Sequence, residues 1–195
     1  MKNIFVILIV LLFQTSSMKA EISTEIKRIT VGNKNAKITI LAYESLTCSH
    51  CANFHINVYP DLKKEYIDTG IAKIEFRHFP LDVAAFNASK ISQCKNDGGS
   101  DILNSLYLNQ SKWIKGQSIE EINKNLEEFL KTEKINVDFN KCTTDKNIEN
   151  FILNDRIEGV KKFKVNATPT IIINDKKFEK TLNYKNLKKT LEKLI

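Results

Sequence analysis

Two cysteines three positions apart, Cys48 and Cys51, are the residues of this chain whose types and spacing suggest chemistry. They lie in the stretch LTCSHCANFH, with Ser49 and His50 between them. Such a pair can exchange disulfides, form a purely structural disulfide or supply half of a zinc site. Zinc needs four ligands, and no second close pair of cysteines accompanies this one. We therefore rank redox chemistry above the other two interpretations.

The segments around the motif predict that it lies where a strand turns into a helix. Residues 37–43 (KITILAY) form a short apolar β-type run, and a helical spacing of apolar residues continues from Cys48 to Val58. At a helix N-terminus, unpaired N–H groups and the positive end of the dipole favour a thiolate over a thiol. We expect Cys48 to be acidic and exposed, and Cys51, one turn inside the helix, to be less accessible. His50 adds a donor whose cationic form would stabilise the reduced state.

The chain after the motif first predicts a strand and then a helical stretch. Residues 71–79 (IAKIEFRHF) alternate apolar and polar side chains, as a second strand of the same sheet would. The pattern becomes helical from residue 83 to about residue 162. Within it, Ser118 and Glu121 predict a capping box at the start of one helix.

The C-terminal part predicts two strands and a helix. TPTIIINDKKFEK, beginning at Thr168, reads as a hairpin with its turn at Asn174 and Asp175. The last helix is expected to be amphipathic, with an apolar face formed by Leu187, Leu191, Leu194 and Ile195. The predicted order is β-α-β, a helical insert, and then β-β-α.

The N-terminus indicates export. Lys2 supplies one positive charge ahead of an unbroken apolar run at residues 4–13, and polar residues follow. A helix of that length spans about half of a bilayer's hydrocarbon core, so a secretory signal fits better than a membrane anchor. We expect residues 1–20 to be a signal peptide, ending at Ala20 or at Ser17, and the mature chain to be periplasmic.

The charge of the chain argues against nucleic-acid binding. The formal charge of +7 falls to +5 without Lys2 and Lys19. The remaining positive residues are almost all lysines scattered among acidic residues, with no tract that combines basic and aromatic side chains. This pattern is typical of a solvated surface, so nucleic acid is not an expected partner.

All four cysteines lie beyond the expected signal peptide, and an even number in an exported chain favours disulfides. Joining Cys94 to Cys142 would close a long loop within the helical stretch. In the chain-entropy model such a loop restricts the unfolded state by about 4 kcal/mol. We expect these two cysteines to form a structural disulfide, distinct from the chemical pair at Cys48 and Cys51.

Three stretches, LAYESLTCSHCANFH, IEFRHFPLD and VNATPTIIIN, resemble the DsbA family of exported thiol:disulfide oxidoreductases. The resemblance implies an α/β thioredoxin fold interrupted by a helical domain. Residues 21–82 and 163–195 would form the thioredoxin-like part, and residues 83–162 the insert. It also implies that Cys48 is the nucleophile and Cys51 its buried partner. Pro169 would be a cis-proline facing them, and Thr168 would bind substrate with it.

The resulting hypothesis is a dithiol oxidase without a cofactor, acting as a monomer on unfolded exported proteins that carry free cysteines. By resemblance, a DsbB-like membrane protein would reoxidise it. The first alternative is a disulfide isomerase or reductase on the same fold. The alternative outside the enzymes is a zinc-binding or interaction module.

Two positions depart from the family pattern. Many relatives have proline where this chain has Ser49, and many have an acidic residue where it has Ala42. Glu44 lies two residues further on, on the same face of a strand. It could replace the missing acid as proton carrier for Cys51, although we rank an exposed glutamate at the strand end slightly higher. For the histidines after the motif, His55 and His78, packed or surface positions are expected rather than catalytic ones.

Overall fold

A five-stranded mixed sheet forms the centre of the protein. The computed structural model describes residues 25–195, so the expected signal peptide lies outside the described residues. Among these residues the strands are ordered β1-β3-β2-β4-β5, and only the β2–β3 pair is parallel. Their bounds are Thr30–Gly32 (β1), Ile38–Glu44 (β2), Ala72–His78 (β3), Thr170–Ile173 (β4) and Lys176–Lys177 (β5). The edge strand β1 was not predicted, because three residues are too few to show a period.

Helix α1, Ser49–Asn57, follows β2 after a short loop and leads by way of α2, Tyr59–Leu62, towards β3. A single π-helical turn, Lys63–Ile67, continues directly from α2. Pro60 lies in the first turn of α2, where its missing N–H leaves no helical bond unmade. Helix α1 ends before this proline, and β2-α1-β3 is the expected β-α-β unit.

Six helices lie between β3 and β4. They are α3 (Val83–Gln93), α4 (Asp101–Leu108), α5 (Gln110–Trp113), α6 (Ile119–Thr132), α7 (Phe139–Thr144) and α8 (Lys146–Phe163). At the start of α6, the Ser118 hydroxyl accepts from the Glu121 N–H at 3.2 Å. The carboxylate of Glu121 accepts from the backbone of Gln117 rather than from that of Ser118. The Ser118 half of the predicted capping box therefore forms, whereas the Glu121 carboxylate binds the backbone one residue earlier than predicted.

The C-terminal hairpin forms where the sequence predicts it. Asn174 and Asp175 have φ of 45° and 63°, as a tight hairpin turn requires. The final helix α9, Tyr184–Leu191, buries Leu187 and Leu191. Leu194 and Ile195 lie beyond its end and are 42% and 69% exposed, so their expected place on the helix's apolar face was wrong.

Both faces of the sheet are buried, which explains why β2 reads as a nearly continuous apolar run. Helices α1 and α9 contribute to the larger core on one face, and α8 packs against Tyr43 on the other. A Cβ at Gly159 would lie 2.7 Å from the Tyr43 ring, so glycine permits this close approach. One turn before Gly159 in α8, the buried carboxylate of Asp155 accepts hydrogen bonds from Arg28, Arg77 and the backbone of His78.

This architecture is a thioredoxin fold with helices inserted between β3 and β4, so the predicted fold class is confirmed. The sheet brings the carboxyl end of β2 next to the start of β4. Among residues 25–195, no helix combines the length and apolarity that crossing a bilayer requires. The end of β2 at Glu44 leads into the CxxC motif, Cys48 to Cys51. The start of β4 at Thr170 directly follows the Thr-Pro loop, which contains Thr168 and Pro169.

Candidate active site

Cys48 is the N-cap residue of helix α1, directly before Ser49. Its backbone is extended, with φ −79° and ψ 119°, and its carbonyl accepts from the N–H groups of Cys51 and Ala52 at 3.1 Å each. The Cys48 side chain is partly exposed, and Cys48 and Cys51 are free cysteines. Because Cys48 stands at the helix N-terminus, its sulfur faces the unpaired N–H groups of the first turn. Cys48 was expected to be exposed, and it is partly exposed.

The surroundings of Cys48 lower its thiol pKa to about 5. The largest contribution is a hydrogen bond from the Cys51 thiol, followed by the Thr168 side chain and the backbone N–H groups of Cys51 and His50; partial burial opposes them. The Thr168 side chain lowers the pKa of Cys48, but the Thr168 carbonyl oxygen has the opposite effect. That oxygen lies 3.3 Å from the Cys48 sulfur and can accept a hydrogen bond only from the protonated thiol. The net result is a thiolate at neutral pH.

Cys51 has the opposite environment. It is fully buried, one turn inside α1. Burial raises the pKa of the Cys51 thiol far above its ordinary value, and the neighbouring Cys48 sulfur and Glu44 carboxylate raise it further. The two cysteines therefore differ strongly in acidity, since one can ionise at neutral pH and the other holds its proton.

The loop before β4 lies against the motif. The Thr168–Pro169 peptide bond is cis, and Thr168 is buried with its carbonyl beside the Cys48 sulfur. Next to this contact, a groove of about 270 Å³ lies between α1 and the Thr-Pro loop. His50 is exposed and lines this groove together with Phe54. The structure thus brings all five expected site residues, Cys48, His50, Cys51, Thr168 and Pro169, to one place.

Glu44 is buried, so the exposed strand-end position that we had ranked first was wrong. Its side chain is 3% exposed, and one carboxylate oxygen lies 2.9 Å from Nε2 of His55, which is also buried. The His55 ring stacks on Tyr107 of α4 with 4.1 Å between ring centroids. Burial raises the pKa of Glu44, and His55 opposes that shift. Glu44 influences Cys51 directly, because its charge raises the pKa of that thiol.

One residue of the inserted helices contacts the motif without any sequence signal. Nε2 of Gln110 donates to the carbonyl oxygens of Leu46 and Cys48, at 2.7 and 3.0 Å. Glutamine in a short helix has no periodic or charge pattern that would mark it, and 62 residues separate it from Cys48. Only the packing of the insert against the sheet brings the two together.

The other two cysteines and the remaining buried histidine lie outside this site. Cys94 and Cys142 form a disulfide that ties the end of α3 to α7. His78 is buried against Gln93, and burial lowers its pKa. Within residues 25–195, no cluster of three or more histidine, cysteine or acidic side chains is arranged to hold a metal ion.

Comparisons with known proteins agree with this arrangement. A family model described as thioredoxin matches residues 24–193. The crystal structure of Wolbachia pipientis alpha-DsbA1 superposes with a TM-score of 0.76 and is 30% identical, covering 86% of this chain and 90% of that one. Oxidised BdbD from Bacillus subtilis superposes with a TM-score of 0.68 at 21% identity, covering 86% of this chain and 92% of BdbD. At this identity the similarity shows a shared fold only.

Sequence relatives point the same way. Disulfide bond formation protein D of Bacillus subtilis is 24% identical over 173 residues, 84% of this chain and 75% of that protein. A Rickettsia bellii relative, provisionally named a protein-disulfide oxidoreductase, is 26% identical over 163 residues, 83% of this chain. The match spans 62% of the Rickettsia bellii protein and 39% of the Rickettsia conorii one, so these relatives are considerably longer than the matched region.

The fold and the site together define a thioredoxin-fold protein with a CxxC motif at the start of its first long helix and a cis-proline opposite. The chain belongs to the thioredoxin family, and within it to the DsbA-like proteins that carry helices inserted into the fold.

Proposed function

We propose that this chain is a thiol:disulfide oxidoreductase that oxidises paired cysteines of exported proteins through Cys48 and Cys51. The observation that carries the proposal is the contrast between a partly exposed Cys48 with a pKa of about 5 and a buried Cys51 with a strongly raised pKa. A stable thiolate at Cys48 stabilises the reduced protein, and a protein whose reduced form is stabilised is an oxidant.

The reaction transfers two electrons from the substrate to the enzyme. A substrate thiolate attacks the sulfur of Cys48 in the Cys48–Cys51 disulfide, so the disulfide breaks and a mixed disulfide forms. The Cys51 sulfur leaves with the electron pair and takes up a proton. A second substrate thiolate then attacks the substrate sulfur of the mixed disulfide, and Cys48 leaves as a thiolate. The substrate gains one disulfide and the enzyme is reduced.

Glu44 is our proposed proton donor to Cys51 in the first step and its acceptor when the enzyme is reoxidised. Cys51 is completely buried, so solvent has no direct access to its sulfur. Burial raises the pKa of Glu44, which favours its protonated form, and its second oxygen has no partner among the described residues. Nε2 of His55 holds the other carboxyl oxygen at 2.9 Å.

Substrate segments would bind along the groove between α1 and the Thr-Pro loop. Thr168 and Pro169 present backbone groups beside Cys48, and the partly exposed Leu182 supplies apolar surface. Recognition by backbone and unspecific apolar contact suits a catalyst of many substrates. Relatives named for disulfide bond formation support this substrate class.

The same proposal includes a periplasmic location, reoxidation by a DsbB-like membrane protein and action as a monomer. Export is tested by the intact mass of the protein recovered from the periplasm. A mature chain that begins between Met18 and Glu21 supports the signal peptide, and a chain that still contains Phe5 contradicts it.

The decisive experiment is the redox equilibrium of Cys48 and Cys51 with glutathione. An oxidase should have a potential above about −200 mV, whereas a reductase of thioredoxin type lies near −270 mV. A Cys48→Ser variant should exchange nothing, which confirms that the signal comes from this pair. Oxidation of a reduced, unfolded substrate, compared with the reshuffling of a scrambled one, separates the oxidase from an isomerase. Stoichiometric zinc in the purified protein together with no exchange would contradict the whole proposal.

Glutamate to glutamine at position 44 tests the proton step. Glu44→Gln keeps the shape of the side chain but cannot give or accept the proton, so the release of Cys51 should slow while the pKa of Cys48 changes little. Stopped-flow experiments from pH 5 to 8 measure the rate of mixed-disulfide formation for both proteins. The ionisation of Glu44 should be missing from the pH profile of the variant. An unchanged profile would mean that Glu44 is only a packed partner of His55.

A further inference from the structure

We infer that Gln110 is a positioning residue, which holds the backbone of Cys48 at the N-terminus of α1 from the inserted helices. The inference rests on the proposed redox function of Cys48. Both hydrogens of the Gln110 amide are used, because Nε2 donates to Leu46 O at 2.7 Å and to Cys48 O at 3.0 Å. The reverse orientation of the amide would place its oxygen against two carbonyl oxygens, so the donor assignment follows from chemistry.

The segment held by Gln110 is the loop that leads into helix α1. The two carbonyls that accept from Gln110 flank Thr47, whose hydroxyl donates to Asp82 at 2.6 Å. The N–H of Cys48 donates to Ser45 O at 3.0 Å. Asp82 and Gln110 thus hold the loop from outside, and Gln110 binds the carbonyl of Cys48 itself.

Gln110 has a rigid support. It is the first residue of α5, and its own carbonyl accepts from the Ile114 N–H at 2.9 Å. Trp113, in the same short helix, is completely buried and donates from Nε1 to Leu106 O at 2.9 Å. A side chain anchored in this way can hold a loop in one position, whereas an exposed glutamine could not.

The acidity of Cys48 depends on that position. The backbone N–H groups of His50 and Cys51 are among the groups that lower its pKa, and their direction relative to the sulfur follows from the backbone of Cys48. In the disulfide form, the covalent bond to Cys51 restrains the same backbone. Loss of Gln110 should therefore destabilise the reduced form more than the oxidised form, and so make the protein a weaker oxidant.

Two nearly isosteric variants test this. Gln110→Met fills the same space without donors, and Gln110→Glu replaces the donors by oxygens that repel both carbonyls. The matched control is Gln93→Met, because Nε2 of Gln93 donates to the carbonyl of Lys27, away from the motif. Each protein is titrated for thiolate absorbance against pH, equilibrated with glutathione, and unfolded in urea.

For Gln110→Met we expect about a three- to tenfold shift of the glutathione equilibrium towards the disulfide form, the size of one net hydrogen bond, together with a raised Cys48 pKa. Gln110→Glu should shift both quantities at least as far, and Gln93→Met neither. If Gln110→Met loses stability but keeps the wild-type pKa and equilibrium, the inference is wrong and Gln110 is only structural. If it does not fold, unchanged values in Gln110→Glu overturn the inference in the same way. Failure of wild-type protein to exchange with glutathione would refute the redox function instead, while the pKa comparison still decides the role of Gln110.

Discussion

The contrast between the two cysteines predicts how the stability of the reduced protein depends on pH. The folded pKa of Cys48 is about 5, and an unfolded cysteine has a pKa of about 8.5. A group whose pKa is lowered by folding stabilises the folded state above its unfolded pKa, and this stabilisation is lost as the pH falls towards its folded pKa. Reduced protein should therefore become more stable as the pH rises from 5 to about 8.

The magnitude follows from the same two values. Between them, each pH unit adds about 1.4 kcal/mol to the free energy of unfolding, so the step from pH 5 to pH 7 has an upper limit of about 2.7 kcal/mol. Because the Cys48 sulfur is partly exposed to solvent, we expect roughly half of that. Cys51 acts in the opposite direction. Its raised pKa stabilises the folded state below about pH 8.5, and this stabilisation is lost above that value, so the rise should end there.

The assay is urea unfolding of reduced and oxidised protein at several pH values between 5 and 8. The oxidised protein has no titrating thiol at the motif, so the difference between the two forms isolates Cys48 and Cys51. Intact mass must confirm that the disulfide between Cys94 and the buried Cys142 survives the reduction. Reduced Cys48→Ala protein should lack the pH response. A difference that stays flat, or that falls between pH 5 and pH 8, would refute the assignment of an acidic Cys48.

Three further predictions concern the surroundings of the site. Replacing both Cys94 and Cys142 by serine should lower the free energy of unfolding by about 2–4 kcal/mol in urea, and an unchanged midpoint would contradict a structural role. His50→Ala should raise the pKa of Cys48 only in part, because backbone N–H groups also lower it; thiolate titration measures this, and a lowered pKa would contradict the electrostatic argument. Gly159→Ala should cost about 1–3 kcal/mol, since its Cβ would lie 2.7 Å from an aromatic ring of β2; calorimetry with no change in melting temperature would show that α8 can move.

The sequence by itself determined the order of most elements and the position of the chemical pair. A period of two in the strands, apolar spacing in the helices and the Asn174–Asp175 turn are local properties, and each depends on residues a few positions apart. The placement of Cys48 at the start of α1 is also a local property of this kind. For this reason the CxxC motif could be assigned to a helix N-terminus before any packing was known.

Tertiary structure alone decided how that motif is supported. Glu44 is buried next to His55 of α1, and the His55 ring stacks on Tyr107 of α4. Gln110 reaches Cys48 across 62 residues of chain. Burial and long-range hydrogen bonds depend on which elements pack together, and no local period encodes that packing. The reactive cysteines could therefore be read from the sequence, whereas the buried acid, its histidine and the glutamine that holds the loop could not.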